Sequence, residues 1–207
     1  MMNDLQESPV DGQRGPADHN IREQIIAAAY DHFAHYGYGK TTVSDLAKAI
    51  GFSKAYIYKF FDSKQAIGEA ICSNFLSEII VTLEESVSSG RSATEKFRIM
   101  AETLTDTGVF LFSNDRKLYD IAIHSCTEKW SSSLKYIENI EHILARIILE
   151  GRESGEFERK TPLDETCRAI MGAMKPFVNP VMLQYNLDDL PRDKNEMISL
   201  VLRSLAP

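Results

Sequence analysis

The sequence has few cysteines and no clustered catalytic or metal-binding motif. Cys72, Cys126 and Cys167 are far apart and form no CxxC pair, which favours buried or free thiols over a redox or metal site. The chain also has no GxGxxG sequence, no Walker loop and no GxSxG elbow. We therefore expect no enzymatic activity, no cofactor and no bound metal.

Long apolar runs and strand-like alternation are also absent. No apolar run approaches the roughly 18 residues of a membrane span, and the first residues are polar and acidic instead of basic and apolar. We therefore expect a cytoplasmic protein with no membrane partner. Apolar residues recur with helical spacing along most of the 207 residues. The pattern predicts an all-α protein of about nine helices.

The net charge of −7 is unevenly distributed. Residues 1–20 carry −3, residues 21–65 carry +2, and the remainder carries −6. The excess of positive charge is thus confined to one segment, as local contact with phosphates requires. Proline and glycine without periodicity predict a disordered arm over 1–20, and Asn20 is the expected cap of a first helix over 21–36.

The segment 41–64 has the pattern of a helix-turn-helix motif. Thr42 and Asp45 resemble a capping box, Gly51 stands where the first helix must end, and Ser53 can cap the second. One face of the first helix is apolar at positions i, i+3, i+4 and i+7: Val43, Leu46, Ala47 and Ile50. The second helix would expose two cations and two phenols, a surface suited to phosphates and base edges: Lys54, Tyr56, Tyr58 and Lys59.

This segment resembles the signature of the tetracycline-repressor (TetR) family. The matching residues stand at the family's spacing, and the match extends from about residue 21 to 72: Thr41-Thr42, Leu46-Ala47, Gly51-Phe52-Ser53, Tyr58, Phe61 and Ser63-Lys64. The resemblance implies a three-helix DNA-binding domain over 21–66 and a ligand-binding and dimerisation domain over 67–207. It further implies nine DNA-binding positions: Thr41, Thr42, Ser53, Lys54, Ala55, Tyr56, Tyr58, Lys59 and Lys64. Among them, Thr42, Tyr58 and Lys64 would hold the phosphate backbone.

The second half of the chain predicts a helical body. A long helix from about Ser63 to Ser88 would connect it to the motif. A later helix, capped by Thr161 and running to about Tyr185, must accommodate two prolines, so we expect a kink in it. The last helix is predicted over 194–205.

The resemblance implies that the body encloses a pocket for a small, mostly apolar inducer. Its candidate residues include Tyr119 and His124 as polar groups: Met100, Phe110, Tyr119, His124, Met171 and Met174. Each apolar member could equally be an ordinary core residue. The last two helices resemble the dimerisation pair of the family, with an apolar seam: Phe177, Val178, Val181, Met182, Ile198, Val201 and Leu202.

Taken together, these features predict a homodimeric repressor that binds an inverted-repeat operator in double-stranded DNA and is released by its inducer. The alternative is a helical ligand-binding protein that does not act through DNA. A gel shift with the protein's own upstream region separates the two hypotheses, because only the repressor would retard that DNA at low salt.

Overall fold

The computed structural model describes residues 16–207, and every regular element in that range is a helix. The predicted all-α fold is confirmed. Ten helices are present among the described residues: α1 (Pro16–Tyr36), α2 (Val43–Ile50), α3 (Lys54–Ile57), α4 (Lys64–Ser88), α5 (Ala93–Asn114), α6 (Arg116–Thr127), α7 (Ser131–Ser154), α8 (Leu163–Val178), α9 (Pro180–Leu183) and α10 (Leu190–Ser204).

Helix α1 begins earlier than the sequence predicts. It starts at Pro16, so the disordered arm predicted over 1–20 is wrong for its last five residues, and Asn20 lies inside the helix instead of capping it. Proline suits a first turn because the N–H group that it lacks would have no helical partner there, and Asp18 complements the helix dipole. The rest of the predicted arm, residues 1–15, lies outside the described residues.

The helix-turn-helix segment is held by side-chain caps. The backbone N–H of Asp45 donates to Thr42 Oγ1 (3.2 Å), and the Thr42 N–H donates back to the Asp45 carboxylate (3.0 Å). Gly51 ends α2 with φ +78°, a left-handed conformation in which a side chain would be strained. Ser53 Oγ accepts from the Tyr56 N–H (3.1 Å) at the start of α3. These caps follow the sequence prediction.

Two hydrophobic cores share helix α4. The first core packs α1, α2, α3 and the N-terminal half of α4 against α6 and Trp130. The second core lies between the C-terminal half of α4 and helices α5, α7, α8 and α10. The domain boundary predicted after residue 66 falls inside α4, and the first core reaches beyond it to Cys72. That boundary stays a prediction.

By length and composition, α4 is the one described helix that meets the criteria for a membrane span. Its buried residues are shared between the two cores: Ile67, Ile71 and Cys72 in the first, Leu83 and Val87 in the second. The two ends of α4 thus pack into different cores, while residues 73–82 between them are half-buried or exposed.

The helix predicted from residue 162 to about 185 is broken instead of kinked. Pro176 remains inside α8, but Asn179 is extended (φ −81°, ψ 121°), and Pro180 opens the separate helix α9. A proline disfavours helical geometry in the residue before it, which explains the break at Asn179. Pro162 occupies the N-cap position expected for Thr161.

The last helix also begins four residues before the predicted Lys194. Pro191 lies in its first turn, where a missing N–H leaves no helical bond unmade.

Glu156, in the loop after α7, holds the N-terminus of α5. Its two carboxylate oxygens accept hydrogen bonds from the backbone N–H groups of Ala93 and Thr94, both at 3.0 Å. Partial burial raises the pKa of Glu156, but these bonds and one from Ser154 Oγ outweigh burial and lower the pKa to about 2. The carboxylate therefore stays ionised and joins two helices that are distant in sequence.

Replacement of Glu156 by glutamine is expected to destabilise the fold by about 1–2 kcal/mol at pH 7, as for the loss of a helix cap. Because the folded pKa lies below the ordinary value of 4.5, the wild-type advantage is complete above that pH and declines as the pH falls towards 2. Urea denaturation at pH 7, 4 and 3 measures it. Glu153→Gln, at an exposed neighbouring position, is the control at pH 7; an equal loss there would contradict the capping role.

Candidate nucleic-acid interface and internal cavity

Helix α3 presents a short, exposed surface on a buried base. Ile57 has no exposed surface, so this single turn is fixed to the first core. The solvent-facing positions around it are four of those predicted to contact DNA: Lys54, Ala55, Tyr58 and Lys59. With Ser53 capping the turn, these side chains form a compact polar face suited to phosphates and base edges.

Tyr56 is set within a row of aromatic rings. Its ring packs edge-on against Phe52 (5.0 Å between centroids) and Phe60 (5.4 Å). The Lys59 ammonium lies 5.5 Å from the Tyr56 ring centroid. These two ring neighbours fix the orientation of the half-buried Tyr56 side chain, and so they also position its hydroxyl, although α3 is only one turn long.

The two threonines before α2 have different environments. Thr41 is only 2% exposed, and its hydroxyl donates to the carbonyl of Gly37 (2.9 Å). The Thr41 side chain is therefore not presented on the surface, because its polar group closes the turn after α1, and its predicted contact with DNA stays a prediction. Thr42 is exposed and bonds Asp45 through both backbone and side chain. These bonds lower the pKa of Asp45.

Lys64 opens α4 and is joined to the turn after α1. Its Nζ atom donates to the Tyr38 carbonyl (3.0 Å) and lies 4.2 Å from the centroid of the Tyr38 ring. Tyr38 is buried, and burial raises the pKa of its hydroxyl to about 12. The Tyr38 ring in turn packs against Trp130 (5.3 Å) and His124 (5.1 Å). Lys64 is thus backed by residues of the helical body.

His124 lies at this junction instead of in a pocket. Its Nδ1 atom is 3.2 Å from the Glu128 carboxylate, and its Nε2 atom is 4.0 Å from Asp120. On α6 it faces away from Tyr119, so the structure does not bring His124 to the cavity in which Tyr119 lies. Its helical position, more than one turn beyond Tyr119, rotates it onto the face that meets Tyr38.

The body contains a cavity of about 350 Å³ between helices α4 to α9. Most of its lining is apolar, with polar groups from each of several helices: Phe75, Leu76, Ile79, Leu104, Thr107, Gly108, Leu111, Tyr119, Ala122, Ser125, Cys126, Ser133, Tyr136, Ile137, Ile140, Glu141, Met171, Gly172, Lys175, Val178, Asn179, Pro180 and Leu183. Its volume is at the lower end of the range of small-molecule sites, about 300–1,000 Å³.

The structure brings two of the six predicted pocket residues, Tyr119 and Met171, to the cavity. Met100 and Met174 have no exposed surface and belong to the second core. Phe110 is 68% exposed on the outer side of α5. The structure therefore does not bring these three predicted pocket residues to the cavity. Helical spacing alone cannot distinguish a core residue from a cavity residue, or an inner face from an outer one.

Several lining residues were not anticipated from the sequence. Phe75 and Ile79 on α4, and Tyr136 and Ile140 on α7, each form a pair spaced by four residues that faces the cavity. This i, i+4 spacing was available as a signal. The apolar stripes that contain these residues are equally compatible with ordinary core packing, so the sequence does not distinguish these cavity residues from core residues.

The predicted dimer seam is mostly engaged within the chain. Ile198 and Val201 are buried in the second core, Val178 lines the cavity, and Phe177 and Leu202 pack against the core. Ile198 and Val201 therefore offer little or no surface to a second copy, and the predicted seam stays a prediction. Val181 is half-buried, and Met182 is 38% exposed.

A different face of the same helices is open. Small residues are exposed along α8, and Leu200 on α10 is 61% exposed. The small residues are Ala169 and Ala173. One amphipathic pattern predicts that a helix buries a face, but it does not say whether that face meets its own chain or another copy.

Comparison with known proteins gives two matches to family models. Residues 93–198 match the model described as tetracyclin repressor-like, C-terminal domain. Residues 25–71 match the model for bacterial regulatory proteins of the tetR family.

Individual relatives share nearly the whole chain. The fatty acid metabolism regulator protein of Bacillus subtilis (strain 168) is 25% identical over 189 residues, covering 88% of this chain and 94% of its own. The fatty acid degradation regulator FadR from Bacillus halodurans has a similar fold, with a TM-score of 0.67, 21% identity, and 92% and 97% of the two chains covered. The structure of FadR from Bacillus subtilis in complex with stearoyl-CoA has a TM-score of 0.66 to this chain and 24% identity, and the match covers 88% of this chain and 98% of FadR.

Proposed function

Because the chain belongs to the tetracycline-repressor (TetR) family of transcriptional regulators, we propose that it is a cytoplasmic repressor that binds an inverted-repeat operator as a homodimer. A ligand in the cavity between α4 and α9 would release it. The observation that carries this proposal is the position of α6 between the cavity and the residues that hold Lys64.

Helix α6 has one face on the cavity and another on the DNA-binding core. Tyr119, Ala122 and Cys126 line the cavity. Ile121 packs into the first core, and His124 packs against Tyr38, whose carbonyl accepts from Lys64. A ligand that displaces α6 would therefore also move Tyr38, which holds Lys64. To shift the protein almost completely from the DNA-binding state to the released state, the ligand must bind the released state more tightly by about 5.5 kcal/mol.

The lining supports an apolar ligand with an acyl chain. Aliphatic and aromatic side chains dominate the cavity wall, and a relative named for fatty acid metabolism aligns over nearly the full chain. A fold neighbour holds stearoyl-CoA. We therefore propose a fatty acyl compound as the ligand class.

The open face of α8 and α10 supports pairing of two copies. Small residues on α8 permit close helix approach, and Leu200 supplies an exposed apolar side chain. A two-fold pair would place its two α3 turns about 34 Å apart, in successive major grooves. We propose Ala169, Ala173, Met182 and Leu200 as seam residues in place of Ile198 and Val201.

The functional test is a gel shift with the protein's own upstream DNA at low salt. We expect a retarded complex that dissociates on addition of dodecanoyl-CoA. An absence of retardation would instead favour a helical ligand-binding protein that does not act through DNA.

Lys64→Ala is expected to weaken binding to every DNA sequence, because a phosphate contact carries no base information. The slope of log affinity against log salt should flatten by about one unit. Fluorescence anisotropy from 50 to 200 mM salt, with specific and random duplexes, measures both. Lys160→Ala, at an exposed loop position of the body, is the charge-matched control. A loss confined to one operator variant would contradict the phosphate assignment.

A further inference from the structure

Building on the proposed function, we propose that the hydroxyl of Tyr136 donates a hydrogen bond to the carbonyl oxygen of the acyl ligand. Tyr136 would then be the residue that distinguishes an acyl compound from a plain alkyl chain of the same length. The chemical class of the ligand is an acyl ester, thioester or acid.

The Tyr136 side chain lines the cavity from α7 and packs against the second core. Within the part of the chain that the structure describes, its hydroxyl has no hydrogen-bond partner. Burial raises the pKa of this hydroxyl, so it stays protonated at neutral pH and can donate. Tyr136 is half-buried on the cavity wall, so a carbonyl oxygen that a ligand brings into the cavity can accept its hydrogen bond.

Three other hydroxyl groups of the cavity wall contrast with Tyr136. Tyr119 donates to the Pro180 carbonyl (2.7 Å), and Ser125 donates to the Ala122 carbonyl (2.9 Å). Ser133 lies 2.9 Å from the backbone carbonyls of both Ser125 and Trp130. The backbone already engages these three groups, whereas the hydroxyls of Tyr136 and Thr107 have no partner among the described residues and are available to a bound molecule.

The charges of the cavity wall argue for a neutral acceptor inside it. Its two ionisable side chains of opposite sign, Lys175 and Glu141, are both exposed at its edge. Their charges offset each other, so the wall offers no net attraction for a buried anion. The apolar lining suits an alkyl chain, and a phenol donor suits a carbonyl. A thioester and a protonated acid both offer that carbonyl.

The experiment uses isothermal titration of the full chain with dodecanoyl-CoA and with S-dodecyl-CoA, the thioether that lacks only the carbonyl oxygen. We expect the wild type to bind the thioester about tenfold more tightly, as one buried hydrogen bond implies. Tyr136→Phe should lose that factor for the thioester and bind the thioether unchanged. Tyr185→Phe, at a tyrosine 81% exposed, should behave as wild type.

The outcomes separate this inference from the proposed function. Equal thioester affinity in wild type and Tyr136→Phe would overturn the role of Tyr136 and leave an acyl ligand in place. A thermally stable Tyr136→Phe protein that loses both ligands equally would also overturn it. If the wild type binds none of the acyl probes saturably, the proposed ligand class itself is overturned. Dodecanoic acid as a third probe identifies the source: affinity equal to that of the thioester assigns the free acid, and weaker binding assigns the CoA ester.

Discussion

Replacing Trp130 by alanine is expected to destabilise the protein by about 3–5 kcal/mol, the cost of removing a large buried aromatic side chain. Trp130 is 1% exposed and packs against the Tyr38 ring. Its indole N–H donates to Glu128 (2.9 Å). Since folded domains are stable by about 5–15 kcal/mol, this one change would remove a large share of the total. Urea denaturation measures the loss.

Trp130→Phe is the matched comparison. It keeps an aromatic ring beside Tyr38 and removes the bond to Glu128, so a smaller loss is expected. Because Tyr38 supports Lys64, the alanine variant should also bind DNA less tightly under conditions where it remains folded. A loss of stability below about 1 kcal/mol would show that the site is not packed as the structure has it.

Gly151→Ala is expected to destabilise the protein by about 1–3 kcal/mol, as overpacking of a filled core does. Gly151 is buried in α7, and an added Cβ would lie 2.7 Å from Cγ of Phe157 and closer still to two other ring atoms. Phe157 is itself 3% exposed in the second core, so its ring has little room to move. Thermal and urea denaturation give the difference in the free energy of unfolding.

A double-mutant cycle identifies the cause. In a Phe157→Leu background, Gly151→Ala should cost less than it does in the wild type, because the ring that meets the new methyl group is gone. Equal costs in both backgrounds would mean that the methyl group disturbs some other contact.

The parts of the fold that depend on neighbours in sequence were predictable. The Thr42–Asp45 capping box and the left-handed Gly51 are dictated within a few residues, so the α2–α3 unit follows directly from the sequence. The all-α class follows from periodicity in the same way. The two prolines of the long helix predict a kink, but the full break at Asn179, before Pro180, depends on whether the surrounding helices accept two segments in place of one.

The properties that depend on tertiary packing were not predictable. Thr41 and Thr42 are adjacent and chemically identical, yet one closes a buried turn and the other is exposed. Met174 and Met171 lie three residues apart on α8, and one fills the core while the other lines the cavity. A stripe of apolar residues specifies that a face is covered, whereas the tertiary fold specifies what covers it.

The brevity of α3 has a consequence for how the protein finds its target in a genome. A recognition helix of four residues offers one turn of side chains, so a single copy can read only a few base pairs. Each mismatched pair costs about 1–3 kcal/mol, while a genome offers on the order of a million or more competing sites. Two copies bound to one inverted repeat combine their discrimination against mismatched base pairs. One copy alone would be distributed over the competing non-specific sites. The cellular abundance of the protein, through its monomer–dimer balance, would therefore set the threshold of repression alongside the ligand.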